Sequence, residues 1–202
     1  MSDLKFINDD YVCKIFSREI EHLKDGVTNI KNPFHFFTLS TINKNIPELR
    51  TIVLRKVQEN PLKIFFNADY RSPKVEQLKK TDYCSLLFYD HKRKIQIRLR
   101  ARPKIFNKNG ITERIWKATP MQSRKCYMGP FKPSLILKEY HPNIPLKYLK
   151  KDPDQVDRFK GYENFTYIEL DILSLDVLEL HHDGHIRFSI DLEKNEINFI
   201  SP

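Results

Sequence analysis

Two stretches of this 202-residue chain place cations where an anion could be held. In the first, Leu49-Arg50-Thr51-Ile52-Val53-Leu54-Arg55, strand alternation puts Arg50, Ile52, Leu54 and Lys56 on one side and Thr51, Val53 and Arg55 on the other. Each side therefore carries a cation. A cation on an otherwise apolar strand needs a counter-charge, because burying it alone is costly. The second stretch, Arg71-Ser72-Pro73-Lys74, reads as a helix start, with serine as N-cap and proline at the first helical position. Free backbone N–H groups and the positive end of the helix dipole favour an anion there. Arg50, Arg71, Ser72 and Lys74 thus outline a phosphate site; the plainer alternative is a capped surface helix with flanking lysines. A third cluster, His181-His182-Asp183-Gly184-His185-Ile186-Arg187-Phe188, gathers three histidines about an Asp-Gly turn. They lack a second ligand cluster, so a hairpin with a polar side is expected and a metal site is not.

The elements that must position these residues follow from periodicity and punctuation. Apolar residues at Tyr11, Val12, Ile15, Phe16, Ile20 and Leu23 predict an amphipathic helix from Asp9 or Asp10 to Gly26. Strands are expected over Phe34–Thr41, Leu49–Val57 and Leu62–Phe66, with a polar turn from Asn43 to Pro47 joining the first two as a hairpin. A short helix runs from Pro73 through Lys80. Strands follow at Cys84–Tyr89 and Ile95–Phe106, then helical character over Ile111–Ala118 and after Pro120. Lys132–Phe165, rich in proline, lysine and tyrosine, reads as a long excursion; loops of that length are usually functional or disordered. Strands close the chain at Phe165–Leu180, His185–Asp191 and Glu196–Ile200. Six or more strands with few helices, not alternating one for one, favour a mainly β antiparallel barrel with peripheral helices, spanning 1–202 as one domain.

Composition narrows the function classes. Hydrophobic residues at 40% and charged residues at 30% describe a chain that folds. Only five glycines argue against a glycine-rich nucleotide loop. No apolar run approaches about 18 residues, and the first ten residues carry acidic groups where a secretory leader would be basic, so a cytoplasmic protein without a membrane span is expected. Cys13, Cys84 and Cys126 are widely spaced and odd in number, and are expected as free thiols. The net charge of +9 is spread along the chain without a run of about five or six cations. A basic nucleic-acid-binding barrel, with Phe65, Phe66, Tyr70, Phe88 and Tyr89 as stacking platforms, is therefore weaker than a core role for these aromatics.

At these residues the sequence resembles the pyridoxamine 5'-phosphate oxidase-like FMN-binding split barrels, in the branch with a Thr-Asp-x-Arg-Ser-x-Lys signature. The match is Ala68-Asp69-Tyr70-Arg71-Ser72-Pro73-Lys74. The family's Arg-x-Val-Leu-x-Lys strand resembles Arg50-Thr51-Ile52-Val53-Leu54-Arg55, its Arg-Gln-Val strand resembles Ile95-Gln96-Ile97, and a later Gln-Ser pair is Gln122-Ser123. The resemblance covers about 34–130 and, more weakly, 165–202. It implies a split β-barrel homodimer with FMN at the subunit interface. Arg50, Arg71, Ser72 and Lys74 would hold the phosphate through charge-assisted bonds. The main chain near Ile52, Val53 and Leu54 would approach the isoalloxazine edge, with Thr51 and Arg55 beside them also cofactor-binding, and Gln96 and the partner's Gln122-Ser123 would contact the flavin. Arg187 and His185 fall where the vitamin B6 oxidases use an Arg-x-His-x-Arg stretch for flavin and substrate.

This chain departs from the B6 oxidases in ways that bear on substrate. Asp183 stands where their first Arg would be, Arg55 where they carry Lys, and no Tyr/Arg/Ser set for a substrate phosphate is found between Phe106 and Gln122. The tryptophan they carry ahead of the Arg-His segment is missing there; the single tryptophan is Trp116. The leading expectation is an FMN-dependent oxidoreductase with a small-molecule substrate other than a B6 phosphate, in which Gln96, Arg187 or backbone N–H groups stabilise reduced flavin. The alternative is a non-catalytic flavin- or haem-binding module on the same barrel, with His181, His182 or His185 as the haem ligand.

Overall fold

A computed structural model describes residues 8–202; residues 1–7, which include part of the stretch inspected for a leader, lie outside it. Helix α1 spans Asp9–Gly26 and is capped by Asn8, whose side chain accepts from the Tyr11 N–H. Its apolar stripe, Val12, Ile15, Ile20 and Leu23, is buried on the barrel. The strands are β1 (Phe36–Asn43), β2 (Ile46–Val53), β3 (Lys56–Gln58), β4 (Lys63–Asp69), β5 (Cys84–Asp90), β6 (Ile95–Asn107), β7 (Phe165–Glu179), β8 (Ile186–Asp191) and β9 (Glu196–Phe199). Helices α2 (Pro73–Lys80), α3 (Gly110–Ala118) and α4 (Met121–Arg124) lie between them.

Among the described residues nine strands join one antiparallel sheet in the order β2-β1-β5-β6-β7-β4-β3, with β8 and β9 continuing from the later half of β7. The expected strand over Leu49–Val57 is two strands. Leu54 N–H donates to His35 O and Arg55 N–H to Phe65 O, both at 2.9 Å, so the chain changes partner from β1 to β4 at that point and closes the barrel. The expected first strand starts later, because Asn32 accepts from Phe34 N–H at 2.8 Å and winds Pro33–His35 into a 3-10 turn. The β1–β2 turn needs only Lys44 and Asn45, both at positive φ, as a tight two-residue hairpin requires.

The barrel interior is filled by Phe34, Phe37, Leu39, Leu54, Ile64, Phe66, Phe88 and their neighbours; of the five aromatics weighed as stacking platforms or core, Phe66 and Phe88 lie here, Tyr70 packs partly buried against them, Phe65 lies in a second cluster and Tyr89 is exposed. That second cluster, Phe65, Trp116, Phe165 and Tyr167, sits under α3. A 3-10 turn at Lys125–Tyr127 follows α4, and the excursion from Lys132 contains brief 3-10 turns at Leu146–Tyr148 and Tyr162–Asn164. Its order comes from side chains that grip carbonyls. Trp116 Nε1 and Arg124 Nη1 both donate to Arg158 O, at 2.8 and 2.9 Å, and Arg124 also donates to Lys117 O and Thr119 O. Among the described residues no helix is long and apolar enough to cross a membrane.

Candidate functional site

The strand β2 and the start of α2 are brought together, and the cations predicted from each meet there. Arg50 pairs in register with Leu39, so its side chain turns to the inner side of the sheet beneath α2. Its Nη1 donates to Leu39 O and to Thr41 Oγ1, and its Nη2 reaches Glu48 and Gln77, both at 3.2 Å. Gln77 Nε2 donates to Glu48 at 2.9 Å, which fixes the carboxylate beside the guanidinium. Burial lowers the Arg50 pKa, with Glu48 opposing.

Ser72 is buried at 1% exposure and stands at the N-cap of α2, yet its side chain makes no capping bond. Its Oγ instead accepts from Lys74 Nζ at 3.4 Å. Among the described residues Lys74 has no carboxylate within salt-bridge distance, and burial depresses its pKa, with Arg50 pressing the same way and Asp69 opposing. A desolvated ammonium beside a guanidinium at a helix start is an arrangement that a phosphate would complete, since charge of that sign is otherwise uncompensated. The residues present therefore fit an anionic group.

Arg71 has a different setting. Its Nε and Nη2 fork onto Asp69 at 3.0 and 2.7 Å, and its Nη1 donates to Gly129 O at 3.1 Å. Asp69 lies inside the recognised signature, but its pairing depends on the loop conformation. Gln77 and Thr41 went unread; the helical i, i+3 spacing of Lys74 and Gln77 was the available signal for the former.

Arg55 and Ser123 come together elsewhere, on a cavity of about 450 Å³ also lined by Lys56, Asn67, Tyr127 and Tyr167. The Asn67 Oδ1 is buried without a hydrogen-bond partner among the described residues. Tyr167 stacks on Phe65 with ring centroids 5.3 Å apart, and Lys56 lies over the same Phe65 ring at 5.0 Å. Burial raises the pKa of Tyr127 and of Tyr167, with Arg55 opposing at Tyr127. Tyr70 N–H, in the cradle loop, donates to Asn164 O and Asn164 Nδ2 donates to Tyr127 O, so cavity and cation cradle are neighbours. Gln122, the other half of the Gln-Ser pair, is exposed on α4.

Gln96 and Arg187 are on the opposite side of the sheet from Arg50. They flank Leu178 in cross-strand register, and Gln96 lines an outer groove of about 630 Å³ with Arg98 and Asp176. Arg187 forks onto Asp176 at 3.2 and 2.9 Å, sharing it with Arg98 at 2.7 Å. Thr51 and Val53 alternate with the inward Arg50 and Ile52, while Leu54 is fully buried. His181, His182 and His185 are exposed, with His185 Nδ1 accepting from His181 N–H at 3.2 Å. Among the described residues no group of three or more His, Cys, Asp or Glu side chains is placed to hold a metal ion.

Comparison with known proteins bears on this geometry. Residues 16–107 match the family model described as pyridoxamine 5'-phosphate oxidase, FMN-binding domain. A curated relative, pyridoxine/pyridoxamine 5'-phosphate oxidase 2 of Arabidopsis thaliana, is 30% identical over 103 residues, covering 47% of this chain and 52% of its own. The chain thus spans about half the length of the curated relative it matches. Among solved structures, a pyridoxamine 5'-phosphate oxidase-related, FMN-binding protein of Nostoc punctiforme superposes with a TM-score of 0.69 at 19% identity, over 92% of this chain and 96% of that one. PhzG of Burkholderia lata, solved with tetrahydrophenazine-1-carboxylic acid, gives 0.67 at 12% identity, over 94% and 92%. At such identities these two likenesses concern the fold, a mainly antiparallel split barrel, as expected from the sequence.

Proposed function

We propose that this chain binds FMN and works as a flavin-dependent oxidoreductase, a reading supported by the match of residues 16–107 to the pyridoxamine 5'-phosphate oxidase FMN-binding domain model. The observation that carries the reading is the convergence of Arg50, Ser72 and Lys74, with Lys74 desolvated and without a carboxylate of its own among the described residues. These three would hold the phosphate, and the β2–β3 crossover from Thr51 through Arg55 would border the ring. The flavin, when bound, supplies the electron transfer. The chain's own residues bind, orient and exclude water around it. Gln96 and Arg187 offer donors, but on the other side of the sheet from Arg50, so a cofactor that meets both sets draws them from two copies of the chain. A homodimer with a shared site follows.

The Arg55 cavity is the place for a substrate. Two cations, Arg55 and Lys56, face it with the unpartnered Asn67 Oδ1 and the Tyr127 and Tyr167 rings, a set suited to an aromatic or conjugated molecule carrying an anionic group. The Tyr/Arg/Ser set that would hold a vitamin B6 phosphate is not found between Phe106 and Gln122, and Asp183, which stands where the B6 oxidases carry Arg, is fully exposed. Pyridoxamine 5'-phosphate should be oxidised poorly.

The test is a flavin titration of the purified chain. FMN should quench to a stoichiometric end point and riboflavin should bind at least about tenfold more weakly, one charge-assisted contact or more having been removed. Equal affinity for the two flavins would remove the phosphate cradle from the argument. Peroxide formation from pyridoxamine 5'-phosphate, measured on the loaded protein, should fall more than about tenfold below that of an authentic oxidase; parity would restore the B6 substrate.

A further inference from the structure

The loop that carries the cation cradle and the wall of the neighbouring cavity are bonded to each other at two points. Tyr70 N–H donates to Asn164 O at 2.7 Å, while Asn164 Nδ2 donates to Tyr127 O at 2.8 Å. Arg71 Nη1 donates to Gly129 O at 3.1 Å from a guanidinium whose other edge is forked on Asp69. The far side of these contacts has no slack. A Cβ on Gly129 would overlap Asn143 O and Oδ1, and one on Gly161 would lie 2.8 Å from Tyr127 C and O. Asn143 in turn accepts from Phe131 N–H at 3.0 Å and donates to Phe131 O at 2.9 Å. The segment carrying Ser123, Cys126 and Tyr127, one wall of the Arg55 cavity, is thereby tied to the cradle loop through a close-packed seam.

We infer that Arg71 is a positioning residue that couples an anion in the Arg50–Lys74 cradle to the order of the cavity wall at Ser123, Cys126 and Tyr127. The inference rests on the cradle being an anion site. Arg71 lies directly before Ser72 and Lys74 at the start of α2, and Asp69 already holds its guanidinium by two bonds. An anion that fixes Lys74 and the helix start fixes with it the loop from which Arg71 reaches Gly129 O. Because coupling of this kind is reciprocal, opening of the wall weakens anion binding by the same factor, and with the wall ordered most of the time the overall affinity for the anion changes little.

The experiment is hydrogen–deuterium exchange on the full chain, following peptides over 123–133 and 158–165 with and without FMN, beside FMN titrations of the same proteins. In the wild type FMN should slow exchange of both segments about tenfold. Arg71→Ala should abolish that gain while changing the FMN dissociation constant less than about threefold, the scale of an altered surface cation. Arg71→Lys, which keeps one donor toward Gly129 O, should recover part of it. Gly129→Ala, which displaces the seam and leaves the cradle residues in place, should behave as Arg71→Ala does. FMN-linked protection that persists in Arg71→Ala overturns the inference, as does a loss of FMN affinity in that variant equal to that of Arg50→Ala. Should the wild type not bind FMN, the cofactor reading fails by itself. Inorganic phosphate in the same exchange measurement then decides the coupling: protection lost in Arg71→Ala upholds it, and absence of protection in the wild type overturns it.

Discussion

Lys74→Met is expected to push cofactor affinity and cofactor-free stability in opposite directions. Methionine keeps most of the side-chain length and removes the charge. Among the described residues that charge is met by Ser72 Oγ alone, at 3.4 Å, beside Arg50 and with Asp69 committed to Arg71. Because the folded pKa of Lys74 is depressed, the folded state binds the proton less readily than the unfolded chain does. The charge therefore costs stability at neutral pH, and the cost fades as the pH rises through the folded value toward the ordinary 10.5. Lys74 is partly solvated, so the relief is set at no more than about 1 kcal/mol, or about 2–4 °C in melting temperature for a chain of this size. Phosphate binding reverses the account, since a charge-assisted bond worth about 1.5–3 kcal/mol is lost, a weakening of roughly 10- to 150-fold. Thermal melts of the flavin-free proteins at pH 7 and pH 10, with FMN titrations by fluorescence quenching, measure both arms. A Lys74→Met protein that melts lower than wild type at pH 7 and binds FMN unchanged would refute the reasoning at both ends.

Light scattering of the loaded protein should give twice the chain mass, and Asp176→Ala, which frees Arg98 and Arg187 on the outer groove, should weaken the dimer; a monomer binding FMN stoichiometrically would end the shared-site reading. Cys13 and Cys126 are exposed and should react promptly with a thiol reagent, whereas Cys84, buried and with its pKa pushed up to about 12, should react only on unfolding. Three equivalents reacting at one rate in the native protein would contradict the placement of Cys84.

What was legible in the sequence is what local chemistry dictates. The helix α1 could be read because the acids Asp9 and Asp10 mark its start and its apolar stripe has one period throughout, while its cap, Asn8, came only with the structure. The hairpin β1–β2 could be read from polar turn residues, and α2 from Ser72-Pro73. The break between β2 and β3 could not, because the period-two pattern runs unbroken from Leu49 to Val57; only the change of hydrogen-bond partner at Leu54 and Arg55, a consequence of barrel closure, divides it. The excursion is ordered by Trp116, Arg124, Asn143 and Asn164 bonding to carbonyls far along the chain, and such order leaves no periodic trace.

The candidate site divides in the same way. Arg50 and Lys74 were legible as residue types, a cation on a strand and a cation in a helix's first turn, and their meeting is a tertiary fact that the resemblance supplied in advance. Period two gave Gln96 its polar face correctly, yet a list of flavin residues taken from a family merges two faces of one sheet into one site. Within a single chain Arg50 looks inward with Leu39, while Gln96 looks outward with Leu178 and Arg187. The same sheet cannot turn both toward one ligand. A second chain can, and for that reason the cofactor proposal and the dimer proposal stand on the same strand register.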